Sequence, residues 1–297
     1  MARPSPARAA APYFAGSLNL NIKKVDRIWI NVPFREVPAR NMIRELPHWT
    51  YFEICKVTLE CGVVGFGETM VYYTWGTVSD AAIQRVTGTN AAAHLWDDSL
   101  GCGLQMALFD AVAKANNVPL HRLLGRKHRD RPFVSWWAID MPAEDWVLEC
   151  KDAVAQGYTD FKTKARPWFD LEHQCKVLTR SVPPHFKIDV DFNAMLIDAS
   201  RAARYLEVID DYENVAAFES PIPQNDVDGN KYLKTQTRVP IAMHYGSPPI
   251  MTALREEVCD IFVIGGGASR VIDNATVAAA ANKPFWLQLV GTGVTGT

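Results

Sequence analysis

The 297-residue chain has no run of the roughly 20 consecutive apolar residues that a membrane-spanning helix needs, so nothing in it reads as a transmembrane segment. It also lacks an excess of either charge. Its 31 Lys and Arg stand against 33 Asp and Glu, a net charge of −2, whereas a nucleic-acid surface calls for a strong basic surplus. Six cysteines, at 55, 61, 102, 150, 175 and 259, include no C-x-x-C pair and no histidine at zinc-site spacing. Neither a zinc site nor a disulfide framework follows, and reduced, mostly buried thiols in a cytoplasmic protein are the expectation. The opening MARPSPARAAAPYFAG is rich in Ala, Pro and Arg but holds no apolar stretch long enough for a secretory signal. What is present, 48% hydrophobic and 22% charged residues, suffices for one barrel-sized domain or two smaller ones.

Three segments follow from the pattern. Residues 1–18 read as a flexible tail. Residues 19–130 read as an α+β domain: a strand near Ile28–Val32, an alternating strand near Phe52–Leu59, then Gly62 and Val63–Glu68 as the return of a hairpin. The intervening stretch from Pro33 to Trp49 reads as a loop carrying Arg35, Arg40, Arg44 and His48. A helix from Leu104 to Ala115 follows, with Leu104, Leu108, Ala111, Val112 and Ala115 on one face. From residue 131 to 297, short apolar strands alternate with amphipathic helices, the texture of parallel β/α units. The strands are Phe133–Ile139, Thr159–Lys164, Phe186–Asp191, Val215–Glu219, Val239–Met243, Ile261–Ile264 and Pro284–Leu289. A (β/α)₈ barrel must close to remove its edges. Seven strands fall one short, and Gly291–Thr297 resembles only the loop and opening turn of another helix, so the expected fold is an α/β, modified TIM barrel that is C-terminally truncated and lacks its last strand.

Charged residues interrupt the ends of these strands, where active sites of such barrels sit. Lys162 and Lys164 lie on the second strand, Asp191 ends the third, Glu219 the fourth, His244 or Tyr245 the fifth, and Asp260 stands beside the sixth. One β/α unit separates each step, so these groups project toward one mouth. Two residues apart on a strand, Lys162 and Lys164 share a face. Adjacent ammonium groups lower each other's pKa, which would make a neutral lysine base accessible. Asp191 and Glu219, with a third donor after the fifth strand, could hold one hard divalent cation.

The ordered set Lys162-Thr163-Lys164, Asp191-Phe192-Asn193 and Glu219-Ser220-Pro221 resembles the enolase superfamily, in its mandelate racemase and muconate-lactonising branch. Gly65-Phe66-Gly67-Glu68, Leu123-Leu124-Gly125 after Pro119, and Gly265-Gly266-Gly267 support the likeness, which runs from about residue 20 onward. The resemblance implies a capping domain over a modified barrel, and removal of the proton α to a carboxylate to leave an enolate held by Mg²⁺, with Mn²⁺ or another divalent ion as alternatives. Lys164 would be the base, Lys162 would stabilise the developing charge, and Asp191 and Glu219 would hold the metal. The partner implied is a small carboxylate, with family habit pointing to a homo-oligomer.

The chain departs from the pattern twice. Pro240-Ile241-Ala242-Met243-His244-Tyr245-Gly246 has no carboxylate where the third ligand belongs, leaving His244 as the candidate and Tyr245 one residue off. Neither second base of the family's racemases is present: Phe262-Val263-Ile264 has no lysine, and Gln288 stands in a histidine's place, although Asp260 remains. A single base points to dehydration of a hydroxy acid or acid sugar, ahead of epimerisation, cycloisomerisation or binding without turnover. Asn193, Gln288, Arg35, His48 and Trp168 are the candidate substrate contacts. Of Trp136 and Trp137, alternation sends one to the pocket and the other to the helices.

Overall fold

A computed structural model describes residues 18–73 and 76–288. The tail up to residue 17, the end of the expected last strand, and Gly291–Thr297 lie outside the described residues.

Three strands, β1 (Ile22–Asn31), β2 (Tyr51–Leu59) and β3 (Val64–Met70), form an antiparallel sheet. The helices are α1 (Glu36–Glu45), α2 (Asp80–Val86), α3 (Cys102–Ala115), α4 (His121–Leu124), α5 (Ala143–Ala155), α6 (Leu171–Thr179), α7 (Ala199–Ile209), α8 (Val227–Gln236), α9 (Ile250–Glu256) and α10 (Ala268–Ala280). The remaining strands, β4 (Trp136–Trp137), β5 (Asp160–Lys164), β6 (Lys187–Asp191), β7 (Val215–Glu219), β8 (Ile241–His244), β9 (Ile261–Ile264) and β10 (Phe285–Leu287), pair in chain order into one seven-stranded parallel sheet. The architecture is an N-terminal sheet cap on an incomplete TIM barrel, open between β4 and β10 among the described residues. The sheet is strongly curled: the Lys162 ammonium on β5 lies 5.2 Å from the ring centre of Trp286 on β10.

Two apolar cores result. In the cap, α3 lies close on β2 and β3, burying Cys55, Val57, Leu59, Leu104, Leu108 and Val112 together. Gly65 and Gly67 allow that approach, since a Cβ at either would run into the backbone of α3. Phe161, Ile188, Val190, Phe218 and Ile241 carry the barrel core against the helix layer.

The stretch expected as a loop between Pro33 and Trp49 is mostly helix, α1. Met42 is buried in the barrel core, with Phe34, Val37, Leu46 and Trp49 packed against it. Pro38 falls in the first turn, where its missing N–H is tolerated. The run expected from Phe133 to Ile139 contracts to Trp136–Trp137, an edge strand paired only with β5, and Phe133 is largely exposed. No helix among the described residues is long and apolar enough to cross a membrane.

Candidate active site

Alternation on the barrel strands separates two kinds of residue. On β5, Phe161 and Thr163 are fully buried under the helices, while Asp160, Lys162 and Lys164 face the opposite way, into the barrel. Register then aligns the partners: Lys162 opposite Asp189, Lys164 opposite Asp191, and Asp191 opposite Glu219. Lys164 pairs with Oδ2 of Asp191, and Lys162 reaches diagonally to Oε2 of Glu219. The expected side-by-side lysines are thus each matched to a carboxylate of their own, on the face that the two-residue spacing predicts.

His244, ending β8, sets Nε2 3.1 Å from Oε1 of Glu219. Its backbone N–H donates to Oε1 of Gln224 at 2.8 Å. Burial pushes the Glu219 carboxyl up, but His244 and Lys162 outweigh it and hold the group down to about 2. Below Lys162 stands a second acidic pair. Burial and then the neighbouring Asp160 push Asp189 up to about 7, against the pull of Lys162. Asp160 is itself raised by burial.

Asn193 has φ 47°, a left-handed conformation that asparagine tolerates. From there its backbone N–H donates to Oδ1 of Asp191 at 2.8 Å and its side-chain amide to Oδ2 at 3.3 Å. The asparagine of Asp191-Phe192-Asn193 therefore orients the aspartate.

Not every candidate is brought to this cluster. Arg35 pairs with buried Glu149 at 2.5 Å and lies over the Trp136 ring at 4.4 Å. Trp136 is the member of its pair that faces the helices, so Arg35 sits outside the barrel wall. His48 lies among Tyr51 and Tyr72 of the cap. Trp168 is about half exposed, with its indole N–H donating to Oδ2 of Asp140 at 2.8 Å. Gln288 donates to the Tyr73 hydroxyl at 3.1 Å. Asp260 precedes β9 and binds the backbone N–H of Ile241 and the Lys234 ammonium, both at 2.9 Å. It therefore belongs to the N-terminal ends of the strands, the far side of the sheet from Gln288, and cannot support a group at the mouth.

Among the described residues, no three His, Cys, Asp or Glu side chains converge as a metal cluster. The donor chemistry nevertheless fits a divalent cation: Asp191 and Glu219 are buried carboxylates in register on neighbouring strands, and His244 adds a nitrogen against Glu219. A nitrogen donor shifts preference from Mg²⁺ toward a softer ion such as Mn²⁺.

Several residues escaped sequence reading. Trp49 of the cap stacks on Trp137, centroids 5.9 Å apart, and meets Tyr73 edge-on at 4.6 Å. These contacts join non-adjacent segments and leave no periodic trace. Asp160 and Asp189 could have been found, because they share the alternation of Lys162 and Asp191.

Residues 145–297 match the family model described as Enolase C-terminal domain-like. Over 245 residues the chain is 24% identical to an o-succinylbenzoate synthase of Bacillus subtilis, a match covering 75% of this chain and 64% of the relative. Over 261 residues it is 22% identical to an L-Ala-D/L-Glu epimerase of Thermotoga maritima, covering 80% and 74%. The chain thus spans less than two thirds of the first relative's length. The structure superimposes on the 3,6-anhydro-D-galactonate cycloisomerase of Zobellia galactanivorans with a TM-score of 0.71 at 20% identity, covering 91% of this chain and 80% of the other. With the family model matching half of the chain, and the cap, the curled sheet and the ordered lysine and carboxylate positions all accounted for, the protein belongs to the enolase superfamily, in the mandelate racemase and muconate lactonizing enzyme branch.

Proposed function

We propose that this protein removes the proton α to a carboxylate and dehydrates a small hydroxy acid or acid sugar. The supporting observation is an asymmetry. Lys164 and Lys162 stand with Asp191 and Glu219 on β5 to β7, whereas across the sheet Val263 is buried and apolar and Gln288 carries an amide, which cannot serve as a base.

Lys164, once released from Asp191 and neutral, takes the α-proton, and the C–H electron pair becomes the enolate. Lys162 faces the developing charge. As the enolate collapses, the C–O bond to the β-hydroxyl breaks, and the departing oxygen leaves as water with the proton that Lys164 had taken. Where the α-carbon also carries a hydroxyl, as in an acid sugar, the alkene that remains is an enol and tautomerises to a 2-keto acid. Asp191, Glu219 and His244 would hold the divalent ion, which when bound supplies Lewis-acid stabilisation of carboxylate and enolate oxygens. Asn193 keeps Asp191 oriented, Trp168, held to Asp140 on the loop after β5, would offer a flat surface to the substrate, and Gln288 would present an amide from the end of β10. Arg35 and His48 lie too far into other contacts to serve as substrate ligands in this arrangement.

The test is incubation with Mg²⁺ or Mn²⁺ and a hydroxy-acid library in D₂O, following α-deuterium incorporation and 2-keto acid together. Both are expected, and both disappear in Lys164→Ala. Deuterium exchange without keto acid would reject dehydration, keep the enolate chemistry, and favour the isomerase activities carried by relatives such as the Thermotoga epimerase.

A further inference from the structure

Three arginines of the cap, Arg35, Arg40 and Arg44, face carboxylates on the barrel. One of the three contacts leads on to the lysine cluster. Arg44, in the last turn of α1, donates to Oδ2 of Asp140 at 2.8 Å. Asp140 has no solvent exposure, and the same Oδ2 also accepts the Trp168 indole N–H at 2.8 Å. Its Oδ1 is buried with no hydrogen-bond partner among the described residues, and Nε of Arg166 lies 3.9 Å from it. Arg166 follows Lys164 by two residues, keeps 10% side-chain exposure, and donates through Nη2 to Oδ1 of Asn193 at 3.1 Å. Asn193 in turn donates twice to Asp191, the partner of Lys164.

A fully buried carboxylate with one oxygen lacking a hydrogen bond is an expensive element for a simple interdomain bridge. Arg40 performs the bridging task without it: its fork meets Asp145, whose remaining bond comes from Asn41 of the same helix, and no contact among the described residues leads from there to the barrel interior. Asp140 instead joins the cap helix, through Arg44, to the loop that follows β5, which it meets at both Arg166 and Trp168.

We infer that Asp140 is a positioning residue: through Arg166 and Asn193 it sets Asp191 and Lys164, and by accepting from Arg44 it makes that setting conditional on α1 being docked on the barrel. This rests on reading Lys164 and Asp191 as base and cation ligand. Groups that hold a metal ligand in orientation typically change affinity by about 10- to 100-fold when lost. A cap that closes over the mouth would then assemble the site as it closes.

The test compares Asp140→Asn and Arg44→Met with Arg40→Met in the full-length protein, without substrate. Arg40 and Arg44 share a helix, similar exposure and a barrel carboxylate partner, so Arg40→Met removes one cap–barrel ion pair while leaving the contact through Asp140 in place. The probes are Mn²⁺ affinity by electron paramagnetic resonance and the rate of Lys164 acetylation at fixed pH, mapped by mass spectrometry with surface lysines as internal standards. Asp140→Asn and Arg44→Met are expected to weaken Mn²⁺ about tenfold and to alter Lys164 acetylation severalfold. Arg40→Met leaves both near the parent values, and Arg44→Lys, which can still donate to Asp140, restores them in part. The inference is overturned if Arg44→Met and Arg40→Met behave alike at equal loss of melting temperature. It is equally overturned if Arg44→Met changes neither probe. Should Asp140→Asn not fold, the Arg44 series decides alone. If the parent binds no Mn²⁺, the cation assignment falls, while Lys164 acetylation still decides the coupling.

Discussion

The arginines of the cap and the lysines of β5 both face buried carboxylates, yet the cations differ in their access to water. Arg35, Arg40 and Arg44 keep 46–48% side-chain exposure, whereas Lys162 and Lys164 keep 13% and 18%. A half-exposed guanidinium retains much of its hydration, so its pair with Asp145 or Glu149 fastens two surfaces at little electrostatic gain. An ammonium inside the barrel has given up most of its water and depends on Asp191 or Glu219 in exchange. The same pairing of charges therefore docks the cap in one place and holds two lysines inside the barrel in the other.

Removing a cation from each set should expose that difference. The largest effect falls on chemistry: Lys164→Ala should cut α-deuterium exchange by about 10³-fold or more, in the range reported for a lost general base, as read by mass spectrometry in D₂O. Next, Lys162→Met strips Glu219 of one of its two side-chain partners inside the barrel and should lower stability by about 3 kcal/mol, read by denaturant unfolding.

Asp98 comes third. It belongs to the cap, yet it accepts the backbone N–H groups of Ser269 and Arg270 at the start of α10, at 3.1 and 2.9 Å. Asp98→Ala should cost about 1 kcal/mol as a lost helix cap, with hydrogen exchange rising first in α10.

Asp189 gives a pH-dependent test. Its folded-state carboxyl is raised to about 7, so the native state binds a proton that the unfolded chain has released. Stability from this group is fully present below the unfolded value near 4 and is lost as pH rises through about 7. Asp189→Asn should therefore stabilise the protein at pH 8, by up to about 4 kcal/mol for a rise from near 4 to about 7, with the gain vanishing at pH 4 in thermal melts. Smallest is Arg40→Met on the rim, where a solvated guanidinium contributes little, so denaturant unfolding should stay close to that of the parent. A loss comparable to that of Lys162→Met would erase the contrast between the two sets.

The interior set was legible because strand alternation and one β/α unit per step are local, periodic properties: Lys162, Lys164, Asp191 and Glu219 all fall where spacing puts them. The rim was not. Pro38 and a run of arginines hid α1, whose helical register is fixed by Met42 and Leu46 docking on a barrel more than 100 residues downstream in the contacts of Arg40 and Asp145. Asp260 looked like a strand-end acid, but a residue beside a four-residue strand can lie at either end, and here it lies at the N-terminal one.

Sequence by itself determined that this chain is an α/β protein with a cap, parallel β/α units, and two lysines and two carboxylates at consecutive strand ends, because each of these is written in periodicities of two residues or one structural unit. Only the tertiary structure decided which carboxylate each lysine meets, that Arg35 lies outside the barrel wall, and that Arg44, Asp140, Arg166 and Asn193 form one polar path from the cap to Lys164 and Asp191. Those facts depend on how the sheet curls and where α1 docks, and such long-range closure leaves no local pattern in the chain.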